Sequence, residues 1–565
     1  MESRLLRKEL RKGGMRMIRD VSVSPDGTEH PLPLEEEYAR EYVRVQALVA
    51  KAKANGREIV VVMGVGFVGA VMAAIVADTV NEDGSPSKFV IGMQRPSVRS
   101  YWKIATINKG LSPVKSEDPE VEPLIRRCVL EKKTLTATFI YDVLSLADVV
   151  IVDVQLDYLK NTLGNVRSGH VEMTSLEESF EIIARHIKPD TLVLIETTVA
   201  PGTTEQIVFP LMKKSFRKRG IETDPLLAHS YERVMPGKNY VASVRDFWRV
   251  CSGVSKAATE LVVKFLNEVI NTKDYPLTVL DRPIESETAK IVENSFRATI
   301  LAFMDEWSKF AERNGVDIIK VIDAVRVRPT HSNLLFPGPG IGGYCLPKDG
   351  GLGIWSYKHI LGFEDDLFRI TPLAIDINDT RALHAAQFVR DALRNMNLPI
   401  AGAEILILGA SYREDVGDTR YSGSEIIVRR LTEMGAEIRV HDPYVDQWWE
   451  FVGQDSYPRK SLRTFFHNQK KLRDLKVQKN LAEAFNGIDA LVFAVRHKAY
   501  LDLDPEEVIK AIGKPIAVID CFGLLDDRKI KGYLQLGCEV KGLGRGHIRR
   551  MKEEIRKDKR YFPEQ

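Results

Sequence analysis

The chain has 565 residues, and its 81 basic and 78 acidic residues leave a formal net charge of only +3. A chain of this length exceeds one ordinary hydrophobic core, so two or three domains are expected. The near balance of charge gives no reason to expect a nucleic acid or a membrane surface as a partner. No apolar run approaches the length of a membrane span, and the basic N-terminus lacks the apolar core of a signal peptide.

The cysteine content indicates a reducing compartment. Five cysteines lie far apart without CxxC spacing, namely Cys128, Cys251, Cys345, Cys521 and Cys538. Neither a disulfide framework nor a zinc site follows from that pattern. We therefore expect a soluble, cytoplasmic protein with no bound metal.

The first chemical motif follows a mostly polar N-terminal extension, residues 1–55, in which one helix is predicted over 35–53. Residues 58–63 (EIVVVM) have the pattern of a buried parallel strand, and GVGFVG follows at 64–69 before a helix of small residues over 70–80. In this setting the first glycine makes a tight turn, the second admits a pyrophosphate, and the third lets helix and strand pack. The segment predicts a dinucleotide site at the helix N-terminus. Its expected contacts are Gly64, Gly66, Phe67, Val68 and Gly69.

The second predicted strand, residues 88–92 (KFVIG), ends without the acidic residue that commonly holds the adenine ribose. Gln94 and Arg95 follow instead. A Gln94 amide would hydrogen-bond a ribose hydroxyl, whereas Arg95 would accept a 2′-phosphate. NAD is the expected cofactor, and NADP stays open.

Strand and helix patterns alternate through the rest of the first half. Strands over 148–152 and 191–195 flank a helix over 177–187. This alternation predicts a doubly wound sheet with its ligand over the carboxyl ends of the strands. Two polar loops lie at such ends, ETTVAPGTTE at 196–205 and HSYERVMPGK at 229–238. Ordinary turns would explain these loops equally well.

A long helix is predicted from about Ser286 to Asn314, closed by Gly315. Six apolar residues recur along it at helical spacing and predict a broad buried stripe. They are Val292, Phe296, Ile300, Phe303, Trp307 and Phe310. Lys290 and Asn294 stand four residues apart and project from one face. Both donate hydrogen bonds, which suits a catalytic oxyanion; pairing with a neighbouring carboxylate is the alternative.

A loop over residues 336–349 (FPGPGIGGYCLPKD) holds one cysteine among several glycines and prolines. A cysteine that serves only as a small core hydrophobe would normally lie in an apolar strand or helix. The loop therefore favours a presented thiol nucleophile at Cys345. A tight structural turn that happens to contain a cysteine is the alternative.

The second half repeats the α/β pattern after a largely helical stretch over residues 367–395. Strands are predicted over 403–409, 437–441, 490–494 and 516–520. The predicted fold class is α/β, with two Rossmann-like doubly wound domains joined by a central helical region that contains a long helix. The expected domains span residues 56–280, 281–400 and 401–547, with an exposed helical tail over 548–565.

A basic and aromatic insertion is predicted over residues 445–480, containing Trp448, Trp449, Arg459 and Lys460. Basic residues near aromatics are able to bind single-stranded nucleic acid. Because the overall charge is balanced, a solvated excursion or a subunit contact is favoured.

Six motifs taken together resemble the UDP-glucose/GDP-mannose dehydrogenase family, whose members oxidise the C6 alcohol of a nucleotide sugar to a carboxylate. In chain order they are GVGFVG, TTVAPGTTE, ERVMPGK, AKIVENSFRA, GIGGYCLPKD, and SYREDVGDTR with DPY after it. The match runs from about residue 57 to 547. It implies an NAD-binding first half and a nucleotide sugar that bridges both halves.

The resemblance implies a role for each matching residue. Cys345 would trap the aldehyde as a thiohemiacetal, its pKa lowered by positive charge such as Lys290. Lys290 and Asn294 match residues that stabilise oxyanions, Asp349 an acid that positions water or acts as base, and Glu232 a proposed general base. The further cofactor positions are Gln94, Arg95, Thr197, Thr198 and Lys348. The nucleotide-sugar positions are Arg233, Val234, Gly237, Lys238, Gly342, Gly343, Tyr344, Tyr412, Arg413 and Arg420.

Three departures distinguish this chain from the family pattern. DVQLD at residues 153–157 stands where the family often has a Thr-Pro-Thr turn. The acid after the second strand is absent, and Tyr231 precedes Glu232 where many members have proline. None of these changes removes the catalytic set.

The substrate signals point in two directions. ERVMPGK looks like members that act on UDP-N-acetylhexosamines, whereas the KD that ends the cysteine loop looks like UDP-glucose enzymes. UDP-GlcNAc or UDP-ManNAc ranks first, UDP-glucose second and GDP-mannose third. A two-electron alcohol dehydrogenase, an epimerase and a non-catalytic nucleotide-sugar sensor are the alternatives. The long apolar helix and the resemblance favour a homodimer or a higher homo-oligomer.

Overall fold

A computed structural model describes residues 19–235, 237–452 and 462–561. Within these ranges, two sheets with mainly parallel strands are joined by a helical region. The predicted fold class, two Rossmann-like α/β domains around central helices, is confirmed.

The strands of the first half are mostly short and buried. They are β1 (Val21–Val23), β2 (Glu29–Pro31), β3 (Glu58–Met63), β4 (Lys88–Met93), β5 (Leu135–Thr138), β6 (Val149–Val152), β7 (Asp157–Leu159), β8 (His170–Glu172), β9 (Leu192–Ile195), β10 (Leu226–His229), β11 (Val250–Gly253) and β12 (Thr278–Val279). Eight of them form one sheet in the order β12-β11-β10-β9-β6-β3-β4-β5. Only the β10–β11 pair in this sheet is antiparallel. The continuous apolar run of β3 is explained by its central place, where both faces are covered.

Helices cover this first sheet. They are α1 (Glu35–Ala54), α2 (Gly69–Asp78), α3 (Trp102–Asn108), α4 (Val121–Arg126), α5 (Thr174–His186), α6 (Phe209–Lys218), α7 (Tyr240–Arg245) and α8 (Lys256–Val269). Helix α1 buries Val45, Val49 and Ala52 in the same core as the sheet. The described part of the N-terminal extension is therefore packed onto the first domain, with the β1–β2 hairpin before it.

Four helices form the central region: α9 (Pro283–Asn314), α10 (Ile318–Arg326), α11 (Asp349–His359) and α12 (Ile370–Asn395). Helix α9 ends at Gly315, which adopts the left-handed conformation expected of a helix-terminating glycine (φ 72°). Helix α12 packs along α9; α9 contacts β10 and β11 of the first sheet, and α12 contacts the sheet of the second half.

The predicted buried stripe on α9 is wrong within a single chain. Its side chains are largely exposed: Val292 60%, Phe296 55%, Phe303 51%, Trp307 46% and Phe310 51%, with Ile300 half-buried. The buried face carries small or polar residues instead, among them Lys290, Asn294, Ala298, Ala302 and Ser308. Small side chains allow the close approach of α12, so the bulky residues are left on the outer face.

The second sheet is entirely parallel, in the order β15-β14-β13-β16-β17-β18. Its strands are β13 (Glu404–Leu408), β14 (Glu437–His441), β15 (Val477–Gln478), β16 (Ala490–Phe493), β17 (Ala517–Asp520) and β18 (Glu539–Gly542). The accompanying helices are α13 (Gly423–Glu433), α14 (Trp449–Val452), α15 (Leu481–Ala484), α16 (Lys498–Leu501), α17 (Pro505–Ile512), α18 (Asp527–Gln535) and α19 (Ile548–Tyr561).

The insertion was predicted to be a solvated excursion or a subunit contact. In its described part, basic residues such as Lys470 and Lys471 are exposed, but several aromatic residues are buried. Trp448 is 1% exposed and packs in the core of the third domain with Phe451 and Phe466. Arg459 and Lys460 lie outside the described residues. The tail helix α19 buries Ile548 and Met551 and is therefore docked along one face. No helix of the described residues is long and apolar enough to cross a membrane.

Candidate functional site

The structure around the turn between β3 and α2 shows why its sequence contains glycines. A Cβ on Gly64, where φ is 104°, would lie 2.7 Å from the Asp153 carbonyl oxygen, and one on Gly69 would lie 2.0 Å from the Gly64 oxygen. At both positions, backbone atoms of the protein leave no space for a side chain. A Cβ on Gly66 would meet no protein atom within 4 Å. Glycine at that position fits a ligand that approaches the backbone, as a dinucleotide pyrophosphate does.

Gln94 braces this turn from the end of β4. Its side-chain oxygen accepts a hydrogen bond from the Val65 N–H (3.2 Å), and its amide nitrogen donates to the Ser100 hydroxyl (3.1 Å). Arg95 beside it is exposed. The contact of Gln94 with a ribose hydroxyl and that of Arg95 with a 2′-phosphate stay predictions.

A second loop of the first domain is held by Glu287, a residue that the sequence reasoning missed. From the buried face of α9, its carboxylate accepts hydrogen bonds from the Gly202 N–H (2.6 Å), the Thr204 N–H (2.8 Å) and the Thr204 hydroxyl (2.5 Å). Burial raises the pKa of Glu287 to about 8, while these donors favour its ionised form. Its spacing, three residues before Lys290, was the only available signal. The loop that Glu287 holds begins with Thr197 and Thr198, which are half-buried after β9.

The departure at residue 153 places a second carboxyl group beside the turn. Asp153 follows β6, and one of its carboxyl oxygens is buried without a hydrogen-bond partner among the described residues. Burial, and then the neighbouring Glu196, raise the pKa of Asp153 well above its ordinary value. Glu196 itself forms a buried ion pair with Arg249. This cluster follows from no motif and was not predicted.

The cysteine loop leads directly into α11. The Cys345 carbonyl accepts hydrogen bonds from the Lys348 N–H (3.1 Å) and the Asp349 N–H (3.0 Å). The buried Asp349 carboxylate accepts from the Asn294 side-chain amide (2.7 Å) and from the Lys348 ammonium (2.8 Å). Asn294 and Asp349, two predicted catalytic residues, are thus hydrogen-bonded to each other. Lys348, predicted to bind the cofactor, is 1% exposed and is occupied by Asp349.

The expected lowering of the Cys345 pKa is wrong. Burial, and then the Asp349 carboxylate, raise the pKa of the Cys345 thiol to about 11. The Lys290 ammonium opposes both effects without overcoming them. Positive charge is present beside the thiol, but burial and negative charge dominate.

Lys290 lies among the other predicted catalytic groups. Its ammonium donates a hydrogen bond to the Glu232 carbonyl (2.8 Å) and lies 4.0 Å from the Glu232 carboxylate. Burial lowers the pKa of Lys290, but the neighbouring acidic groups, Glu232 foremost, outweigh it, so that pKa is raised. The five predicted catalytic residues are therefore brought into one electrostatic group.

The third domain closes over the cysteine loop. The Gly343 N–H donates to the Arg420 carbonyl (2.9 Å), and a Cβ on Gly342 would lie 2.4 Å from the Tyr412 Cβ. The Arg420 guanidinium lies 5.4 Å from the centroid of the Tyr344 ring and 5.0 Å from that of Phe67 in the glycine turn. One cation from the third domain thus contacts both the predicted cofactor turn and the residue beside Cys345.

Arg413 carries the clearest signal for an anionic ligand. Its Nε atom is buried and has no hydrogen-bond partner among the described residues. Its guanidinium also lies 3.8 Å from the place of a Cβ on Gly237, so the third domain meets the ERVMPGK loop here. A buried guanidinium N–H without an acceptor fits a nucleotide phosphate. In the same loop, the Val234 N–H donates to the Glu232 carboxylate and Lys238 is exposed.

Arg233 has a different environment from the one predicted for a substrate ligand. Its guanidinium donates to the Glu293 carboxylate (3.0 Å), the Trp248 carbonyl (3.0 Å) and the Tyr231 hydroxyl (3.1 Å). These bonds within the protein explain the residue without a ligand.

Three family models match the chain in order. They are described as the UDP-glucose/GDP-mannose dehydrogenase family NAD binding domain, over residues 58–270, its central domain, over 284–380, and its UDP binding domain, over 406–527. Together they cover most of the chain.

Several relatives and solved structures are similar over nearly their full length. The UDP-N-acetyl-D-mannosamine dehydrogenase of Pyrococcus horikoshii is 26% identical, over 86% of this chain and 100% of its own. One of the same name from Methanococcus maripaludis (strain C7) is 25% identical over 86% of this chain and 96% of its own. The crystal structure of NDP-N-acetyl-D-galactosaminuronic acid dehydrogenase from Methanosarcina mazei Go1 matches with a TM-score of 0.68 and 26% identity, over 89% of this chain and 98% of that one.

Proposed function

Because the chain belongs to the UDP-glucose/GDP-mannose dehydrogenase family, it is an NAD-dependent nucleotide-sugar dehydrogenase, and we propose that it oxidises the C6 alcohol of a UDP-N-acetylhexosamine to a carboxylate. The ERVMPGK loop supports this substrate class, and so do similar proteins named UDP-N-acetyl-D-mannosamine dehydrogenase. UDP-N-acetylmannosamine and UDP-N-acetylglucosamine are the first candidates. UDP-glucose ranks second and GDP-mannose third.

One observation carries the proposal: a partly buried thiol lies in an electrostatic group with an ammonium and a hydrogen-bonded amide–carboxylate pair. Cys345 supplies the thiol, Lys290 the ammonium, and Asn294 with Asp349 the pair. A binding protein has no need of a nucleophile in this setting, and a two-electron dehydrogenase has no need to trap an aldehyde.

The proposed chemistry assigns a step to each side chain. Lys290 donates to the C6 oxygen and stabilises the alkoxide as the alcohol becomes an aldehyde. The Cys345 thiol then adds to the aldehyde: sulfur bonds to C6 and the thiol proton passes to the C6 oxygen. The resulting thiohemiacetal is oxidised to a thioester by loss of a hydride from C6 and a proton from the C6 hydroxyl. Water hydrolyses the thioester, releasing the carboxylate and the thiol. NAD, when bound, accepts the hydride lost in each of the two oxidations.

Two carboxylates, those of Glu232 and Asp349, are assigned to proton transfer and to positioning water. Glu232 lies beside Lys290 and acts as general base in this proposal. Asp349 is held by Asn294 and Lys348, so its orientation is fixed for positioning the hydrolytic water.

The nucleotide of the substrate is assigned to the third domain. The unpartnered Nε of Arg413 supports a phosphate contact there, and Tyr412 and Arg420 border the cysteine loop. The substrate would therefore reach from a phosphate site in the third domain to Cys345 in the central region.

The proposed assembly is a homodimer in which two α9 helices cover each other's outer face. The support is the exposed apolar residues of that face, which include Phe296, Phe303 and Phe310. Isolated exposed hydrophobes are ordinary, but a continuous row along one long helix indicates an interface.

A panel of UDP- and GDP-sugars with NAD or NADP tests the function through the absorbance of the reduced cofactor. We expect two NADH per sugar with a UDP-N-acetylhexosamine. One NADH per sugar would indicate a two-electron dehydrogenase, and none, with sugar converted, an epimerase. Cys345→Ser should lose carboxylate formation, and full uronate production by that variant would contradict the mechanism.

A further inference from the structure

Tyr231, the residue that departs from the proline of many family members, lies against Lys290. Its side chain is buried, with 1% of the residue exposed. The Lys290 ammonium lies 5.3 Å from the centroid of the Tyr231 ring. The Arg233 guanidinium lies 5.4 Å from the same centroid and donates to the Tyr231 hydroxyl (3.1 Å).

The hydrogen bonds of the Lys290 ammonium indicate how the Tyr231 ring acts on it. An ammonium has three N–H donors, and Lys290 uses one on the Glu232 carbonyl (2.8 Å). No other acceptor among the described residues lies within hydrogen-bond range of it. The face of an aromatic ring attracts a cation through its quadrupole and consumes no N–H in a directed bond. The remaining donors are therefore left for a reacting oxygen.

We propose that Tyr231 is a positioning residue, whose ring face holds the Lys290 ammonium at the reacting centre while Arg233 fixes the orientation of the ring. This inference rests on the proposed function, in which Lys290 donates to the C6 oxygen. It also gives Arg233 a role through Tyr231, in place of the direct substrate contact predicted from its motif. A proline at position 231 would offer neither an aromatic face nor a hydroxyl for Arg233.

The kinetic test compares three substitutions. Tyr231→Leu and Tyr231→Met remove the ring but keep an apolar side chain, and Tyr231→Phe keeps the ring. With the preferred UDP-sugar, we expect the Leu and Met variants to lower kcat by about 5- to 30-fold, the effect of losing one desolvated cation–π contact. The KM for NAD should change by less than about twofold in all three variants, and Tyr231→Phe should retain most of kcat.

A double-mutant cycle separates positioning from packing. If Tyr231 acts through Lys290, Tyr231→Leu should cause no further loss of kcat in a Lys290→Met background. A further loss of the full 5- to 30-fold in that background would overturn the proposal. It would mark Tyr231 as a packing residue.

A readout independent of turnover is the reactivity of Lys290 itself. Competitive acylation with acetic anhydride across pH, followed by mass spectrometry, reports the pKa of that amine. Because the ring stabilises the cation, the pKa should fall in Tyr231→Leu and stay in place in Tyr231→Phe. Equal pKa values in the wild type and Tyr231→Leu would overturn the proposal. If the wild type forms no reduced cofactor with any sugar, the proposed function fails, and the acylation result still decides the role of Tyr231.

Discussion

The surroundings of Cys345 favour the neutral thiol over the thiolate. Burial and the Asp349 carboxylate place its pKa at about 11, against an ordinary value of 9.0. A shift of two pH units leaves about a hundredfold less thiolate than a free thiol has at neutral pH. The thiolate fraction rises as pH rises toward 11. A low thiolate fraction slows alkylation, because the thiolate is the reactive form.

Alkylation with iodoacetamide tests this at the level of one residue. We expect labelling of the Cys345 peptide in the ligand-free protein to be about a hundredfold slower than that of free cysteine at pH 8. The rate should increase about tenfold per pH unit up to pH 10, because the thiolate is the reactive form. Peptide mass spectrometry measures it, with Cys345→Ser as the control for the other four cysteines. Labelling as fast as free cysteine at pH 8 would contradict the raised pKa.

The sequence predicted those site residues that lie in a recognisable motif or spacing. Cys345 was found from its loop, and Lys290 and Asn294 from their spacing on one helix face. Glu287 was missed because its partners are backbone and hydroxyl groups 83 and 85 residues away, which no local pattern reveals. The pKa of Cys345 was also misjudged, since charge signs are visible in a sequence but burial is not.

At the scale of helices and strands, the periodicity of apolar residues and the length of each predicted segment were enough to predict most of the fold. Strands β3 and β14 begin and end where they were predicted to, and the glycine after α9 marks its end. The antiparallel β11 and the short β12 were not predicted, because two to four residues carry too little periodicity. The apolar row on α9 was real, but its burial was not. Periodicity indicates that one face of a helix is apolar, but it does not indicate what packs against that face.

The turn between β3 and α2 allows a matched pair of glycine substitutions. Gly66→Ala should fold like the wild type, because its new methyl group meets no protein atom, yet weaken NAD binding at least tenfold. Gly69→Ala should lower the free energy of unfolding by about 1–3 kcal/mol, because its methyl group would lie 2.0 Å from the Gly64 oxygen. Denaturant titration and NAD titration measure the two effects separately. Unchanged NAD affinity in Gly66→Ala would exclude this turn as the cofactor site.

At the scale of the whole molecule, side-chain contacts join the third domain to both other regions. The Glu117 carboxylate accepts from the Gly417 N–H (2.8 Å), joining the first domain to the third. Arg545 of the third domain pairs with Asp317 at the start of α10 (3.2 Å). With Arg420 reaching the glycine turn, these links place the third domain against both other regions. A substrate bridging the two halves would therefore meet a preassembled framework.

The proposed assignment of the outer face of α9 to a dimer interface is open to a direct test. Replacing Phe303, which is 51% exposed, with Glu introduces a charge that would be desolvated if a second α9 covered it. Light scattering should give about twice the 63.7 kDa chain mass for the wild type and a shift toward the monomer for Phe303→Glu. Val98→Glu is the matched control, because Val98 of the first domain is 52% exposed and lies away from α9 in the sequence. A wild-type monomer, or a Phe303→Glu protein that stays as associated as Val98→Glu, would rule out this face as the interface.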